Sequence, residues 1–550
     1  MYKYVGGRYM PKFTGLWNNT TAYEALTVVD NGEGTSYVSN KPVPAGTPLS
    51  NTEYWSVYGS GSGAIINLQH QIDQIKNIAV TPEMYGAAGD GITDDTVPIQ
   101  NAVNNSKIVY MQNSYLITSG IEVPEGVMIF GTGDITISDY MHTFTLSGNN
   151  TIMGLTFSDN LALENEWSHI YGLEVDNILI RDCKFNTIGL GYAILMDHST
   201  RIQILNNDIK NYSFGGIMLF HTCSYADIIN NRLYNSRWRS ADHNYPISIS
   251  GYQDHDFGPA HDIRCNYNYI EELSPWWEAI DSHGANDFEI IGNTIINTYR
   301  GIALGYKRTG STGFTYSNCN AYIRDNDITV GIPVDTTYDT SLGIYIASGD
   351  STATKNVNIS NNMIKGTTLT SSHHEGTAAI AVSLGDGSGD DITIENNYTD
   401  VTNFTSMGFG ARGKVNNVKI RGNYFNKIEG TSSLKYGIFL AYTEDYTNIN
   451  VSDNACNPAI VNDNTRSRFM RGIASNYPPA NEALCEYRNN DNNGLDLDSM
   501  DWFTSTRSIL GVATKTHGVA GQIIPSSASG VALWECQTTG SWIEVAGTSV

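Results

Sequence analysis

At 550 residues, with 32 Lys and Arg against 56 Asp and Glu, the chain carries a formal charge of −24, which opposes non-specific binding to the phosphates of nucleic acid. It holds no apolar run of the ~18 residues that a membrane-spanning helix needs, and its start lacks the basic and apolar segments of a secretory signal, so none is expected. Its 7 Cys show no metal-like spacing, whereas 33 Tyr amid abundant Asn, Thr, Ser and Gly suit a surface for neutral, hydroxylated ligands.

Residues 1–58 gather aromatics at Phe13, Trp17, Tyr23, Tyr37, Tyr54 and Trp55 around short β-prone runs. They resemble the small β-modules of chitin-binding type found in chitinases and near the N-termini of phage tail proteins. The resemblance implies an attachment or carbohydrate-binding module; Trp17, Tyr37 and Trp55 are read as its small core. Residues 59–63 read Gly-Ser-Gly-Ser-Gly, a flexible linker. Ile65, Leu68, Ile72, Ile75 and Ala79 then advance by alternating threes and fours. That seam, with Ile at the a positions, predicts a short helix within 59–80 that joins three parallel chains.

From Tyr85 to Val103 the sequence runs YGAAGDGITDDTVPIQNAV. Gly89-Asp90-Gly91 marks a tight turn, and Thr93 or Asp94 is placed to cap a helix through Val103. This string resembles the opening signature of the pectate-lyase-like superfamily as it occurs in phage tailspikes and depolymerases. The resemblance implies a helix that plugs the N-terminal end of a right-handed parallel β-helix, with these Asp residues structural rather than catalytic.

Between Ile178 and Cys456 one pattern recurs: apolar, any, apolar, any, any, Asn, any, apolar. Ile202-Gln203-Ile204-Leu205-Asn206-Asn207-Asp208-Ile209 is a clear copy, and Asn231, Asn268, Asn293, Asn326, Asn362, Asn397, Asn423 and Asn454 occupy the same place later. Alternating β-branched residues predict half-buried strands. A fixed motif with elastic spacers predicts a solenoid. The Asn is expected to make a tight turn by tolerating a left-handed backbone and to stack into an amide ladder. A second strand follows in each period, as at Ala193–Met196, Gly216–Leu219 and Ala279–Ser282. The fold class expected is thus all-β, a right-handed parallel β-helix over 81–460 with a β-structured cap over 461–550. The tail motif from Ala532 to Ile543 resembles the hairpins that close tail fibres. Cys183, Cys265 and Cys456 fall at repeat positions and are read as small buried residues.

A filled solenoid binds ligands on its outer faces, so function should appear as departures from bland outward residues. Six of the 12 His and three of the 9 Trp lie between 198 and 283, a span that includes the long early insertion 234–262; such loops on a rigid scaffold are usual binding sites. Aligning Ile194, Ile217, Ile247, Ile280 and Ile302 inward sends Asp281 and His283 outward side by side, with Asp197 three coils away. Glu278 stands at the entrance of the strand, and Asp254 and Asp256 lie on the insertion before it. Two carboxylates roughly 5–10 Å apart across a sugar suit glycoside hydrolysis. The catalytic candidates are therefore Asp281, Glu278, His283, Asp254 and Asp256. The substrate-binding candidates are Trp238, Tyr252, Trp276, Trp277, Tyr306, Lys307, Arg237, Asp197 and His221. Asp254-His255-Asp256 is too unspecific a spacing for a metal site, so neither metal nor cofactor is expected.

Together the residues and the resemblance lead to a homotrimeric phage tailspike or receptor-binding protein. It would bind and depolymerise a host surface polysaccharide by hydrolysis, its N-terminal module joining other tail proteins, with no nucleic acid and no membrane insertion. It would sit in the virion tail and act at the outer surface of the host cell. The alternatives are a non-catalytic adhesin or structural spike, a polysaccharide lyase, and a teichoic-acid phosphodiesterase.

Overall fold

The computed structural model describes residues 12–59 without 34, 79–162, 167–236 without 188, 244–250, 260–272, 278–305, 319–331, 342–347, 353–367, 378–384, 387–402, 405–410, 414–429, 435–441 and 445–457, together with short strands near both termini and at 307–308 and 315–316. They fall in two compact units, residues 1–80 with 106–108, and 81–105 with 109–550. The predicted trimerising helix lies outside the described residues.

In the larger unit three sheets of 14 strands wind along one axis. Sheet A runs from Ile121–Val123 to Leu497–Asp498, sheet B from Ile108–Met111 to Glu486–Arg488, and sheet C from Asp90–Asp94 to Ala455–Cys456. Each strand pairs in parallel with its equivalent on the next coil. The repeat fixes this register: Ile180, Ile204, Ile228, Cys265, Ile290, Ile323, Ile359, Ile394, Ile420 and Val451 stack directly on one another. All are fully buried, so a slip of one residue would expose the whole column.

The motif spans the corner between sheets B and C, and two Asn positions divide the work there. The ladder residue, Asn207 and its equivalents, is buried. From Asn207 to Asn423 each Nδ2 donates to the Oδ1 of the next coil at 2.9–3.1 Å. Each also donates to an anchor carbonyl of the coil before, as Asn326 does to Ile290. The left-handed turn belongs instead to the residue preceding it, Asn206, Asn230, Asp325, Asn361 and Asn396 among them. The expected ladder is present; the expected turn residue is displaced by one. Cys183 fills the ladder position of the degenerate first copy: its backbone N–H donates to Asn207 Oδ1, but it has no side-chain amide to donate as well, so the amide ladder begins at Asn207. Cys183, Cys265 and Cys456 are buried, as expected.

Helix α1, Thr96–Asn105, buries Ile99, Ala102 and Val103. It starts at Thr96, with Asp90–Asp94 before it drawn into sheet C as its first strand. The Asp residues here are structural: Asp94 accepts from Thr96, and buried Asp95 from the backbone of Ala88 and Gly89. Near the C-terminus, Leu533–Thr538 and Ser541–Val545 form the expected hairpin. In the smaller unit a four-stranded sheet encloses Tyr23, Val29, Val43 and Trp55, with Trp17 and Tyr37 packed against them. These aromatics are core, in keeping with the structural reading.

Candidate functional site

Sheet A carries the candidate residues on strand Glu278–His283. Ile194, Ile217, Ile247, Ile280 and Ile302 do align inward, and Asp281 does stack on Ser248 and below Ala303 on the opposite face. The alternation breaks just before this point. A Cβ on Gly216, the equivalent of Ala279, would meet buried Leu233, whereas one on Gly215, the equivalent of Glu278, would meet the side chain of Met218. Two consecutive residues therefore face the core, and positions 278 and 281 emerge together on the outer side.

There Glu278 and Asp281 meet. Asp281 is only 2% exposed. Its Oδ2 accepts from Ser248 Oγ at 2.9 Å and lies 3.6 Å from His283 Nε2. Glu278 is paired with Arg300, the residue directly above it on the next coil. Burial pushes the Glu278 carboxyl up to about 7, the adjacent Asp281 carboxylate pushes the same way, and Arg300 opposes both. Glu278 and Asp281 are also hydrogen-bonded to each other, closer than the two separated carboxylates of a glycosidase. His283 is the open member, with its side chain 33% exposed.

A second buried acid lies nearby. Glu272 accepts from Tyr212 Oη at 2.6 Å and from Ser236 Oγ, and burial pushes it up to about 7. It lines the same narrow void as Glu278, Ser236 and Thr298. Neither Glu272 nor Arg300 was among the sequence candidates. Arg300 precedes Gly301-Ile302 as Glu278 precedes Ala279-Ile280, so the column alignment that placed Asp281 also locates it. Glu272 sits in a turn without periodic signal.

Asp197 and His221 come together as well, with His198, but in a separate cluster three coils from His283 along its own column. Arg237, Trp238, Tyr252, Asp254, Asp256, Trp276, Trp277 and Tyr306 lie outside the described residues. Lys307 lies on a short strand paired with Tyr316.

The outer face of sheet B holds a feature the sequence reading missed: a groove of about 420 Å³ lined by Tyr225, Asp227, Arg264, Glu289 and Tyr322 among others. Arg264 donates to Asp227 bidentately through one guanidinium edge, Nε to Oδ1 at 2.6 Å and Nη2 to Oδ2 at 2.7 Å. The groove's signal in the sequence is the column of outward positions on the ladder strands, where Asp227, Arg264, Glu289 and Tyr322 stack in strict register.

Residues 101–233 match the family described as right-handed β-helix region. The three-sheet coil and this match define the class: a right-handed parallel β-helix protein. The pre-neck appendage protein of Bacillus phage PZA is 25% identical over 222 residues, covering 32% of this chain and 25% of that protein. A capsule-specific depolymerase of Klebsiella phage K64-1 is 34% identical over 96 residues, covering 15% and 12%. The chain thus spans about a quarter of the length of its appendage relatives. Among solved structures, a tailspike protein mutant of E. coli bacteriophage HK620 in complex with a hexasaccharide shares the fold at a TM-score of 0.53 and 10% identity, covering 90% of this chain and 92% of that one. Within its class the chain resembles phage appendages, tailspikes and depolymerases, as its Tyr85–Val103 signature implies.

Proposed function

We propose that this protein is a phage tail spike that binds a host surface polysaccharide and cleaves it by glycosidic hydrolysis, the outer face of sheet A around Asp281 being the site. The relatives and the shared fold support a virion tail protein acting on polysaccharide at the host surface. The observation that carries the hydrolytic reading is the Glu278–Asp281 dyad. Two buried, touching carboxyls retain one proton between them near neutral pH, the state a general acid needs when it protonates a leaving glycosidic oxygen. His283, beside Asp281 and open to solvent, gives that proton its route to the sugar. Because the dyad acts as one unit, the base or nucleophile is a separate carboxylate roughly 5–10 Å away; Asp254 and Asp256, on the insertion that precedes this coil, are assigned to it. Trp238, Tyr252, Trp276, Trp277 and Tyr306 supply sugar-stacking faces, and Arg237 and Lys307 bind polar or acidic substituents.

Burial of the dyad and its pairing with Arg300 favour one competing reading, an adhesin in which these groups only brace the sheet. Reducing-end release from purified host capsule separates the two. The wild type is expected to liberate oligosaccharides, and Asp281→Asn to lose roughly 100-fold or more of that rate while keeping its thermal midpoint. Retained capsule binding with no release by the wild type establishes the adhesin. Products bearing the ultraviolet absorbance of unsaturated uronates establish a lyase.

A further inference from the structure

Asp197 ends the sheet A strand Tyr192–Asp197, and His198 follows it in the left-handed conformation. His221 holds the equivalent left-handed position one coil later, after Phe220, the partner of Asp197. The coil repeat therefore stacks the two imidazoles, with ring centroids 4.3 Å apart and planes 19° from parallel. Asp197 Oδ1 faces both: it lies 2.7 Å from His198 Nδ1 and in contact with His221 Nδ1. A donor atom from each of the three lies within 4.8 Å of the others, and the side chains are 12–18% exposed, sheltered yet reachable from solvent.

The three groups converge on one point, where a carboxylate oxygen faces two stacked imidazoles taken from successive coils. A dication at the point the three donors share is held by all of them. It needs neutral imidazoles, it is neutralised in part by the carboxylate, and it draws together ligands from adjacent coils. Two imidazole nitrogens and one carboxylate oxygen form the donor set of late first-row divalent metals, distinct from the all-oxygen sets of calcium and magnesium.

We infer that Asp197, His198 and His221 form a binding site for a divalent transition-metal ion of the zinc class, clamping two successive coils on the outer face of sheet A. The site stands on its own geometry. It is three coils, about 14 Å, from His283, so it survives if the hydrolytic reading of the dyad fails.

The test uses the full chain without a histidine tag. After loading with Zn²⁺ and exhaustive dialysis, elemental analysis is expected to find one ion per chain, and chelation is expected to lower the thermal midpoint by several degrees. His198→Asn and His221→Asn, which keep a residue tolerant of the left-handed backbone, are expected to lose both the ion and the chelator response. Equal metal retention by wild type and the double variant, or no retention by the wild type, overturns the site. Should a variant not fold, the wild type decides alone: a visible Co²⁺ ligand-field spectrum that Zn²⁺ bleaches supports it, and its absence refutes it.

Discussion

At the scale of single residues, the buried acids make the sharpest claims. The Glu272 carboxyl is raised in the folded state to about 7 by burial, above its ordinary value. Its contribution to stability is therefore complete below pH ~4.5 and lost as pH rises through about 7. Glu272→Gln keeps both neighbours bonded and removes that loss. Chemical unfolding should show the variant gaining on wild type from pH 4.5 to 7, on the order of 3 kcal/mol at the upper end; parallel pH profiles would contradict the assignment. Glu278 gives a matching kinetic expectation: as the proton-holding member of an acid, it makes kcat/KM fall as pH rises through about 7. A rate rising across that range would remove Glu278 from the acid role. Alternation was enough to place Asp281 and His283 side by side from sequence. It also turns Glu278 inward with Ile280, because period two cannot foresee consecutive inward residues at Ala279 and Ile280. The closeness of His198 to His221 lies outside that alternation, because each takes the left-handed turn after its sheet A strand, one coil apart.

At the scale of elements, the ladder carries the coil. Asn326 accepts from the backbone and amide of Asn293 and donates to Ile290 and Asn362. Truncation to Ala strands several buried polar groups at once, each costing about 1–3 kcal/mol. Asn326→Ala should therefore lower the thermal midpoint by several degrees, whereas Ala at exposed Asn416 should change stability by no more than about 0.5 kcal/mol. Equal effects would mean that the ladder is not a stabilising unit. The sheet B and C strands were legible because Ile and Asn repeat there under full burial. The sheet A strand Thr405–Gly410 is the faint case, since Met407-Gly408-Phe409 lacks the β-branched signature and is held by its neighbours' register. At the helix start both signals hold: Asp90–Asp94 pairs with Ser114–Ile117, and Asp94 still accepts from the backbone N–H of Thr96, as the capping signal implies.

At the scale of the whole molecule, elastic spacers let insertions enter without disturbing the stack. Two outer faces are candidates for the proposed polysaccharide. One is sheet A, with Asp281 and His283. The other is the sheet B groove, where exposed Tyr225 and Tyr322 flank a row of carboxylates and Arg264. The heptad seam from Ile65 to Ala79 adds an expectation for the assembly: sedimentation equilibrium of the full chain should give the mass of three protomers, and a monomer would refute the seam's reading. The measurement that bears most directly on function is the structure of the Asp281→Asn protein soaked with oligosaccharides from its host capsule. Ordered sugar rings over Asp281, His283 and the 234–262 insertion are the predicted result. Sugar bound only in the groove between Tyr225 and Tyr322, with the Asp281 face bare, would contradict it.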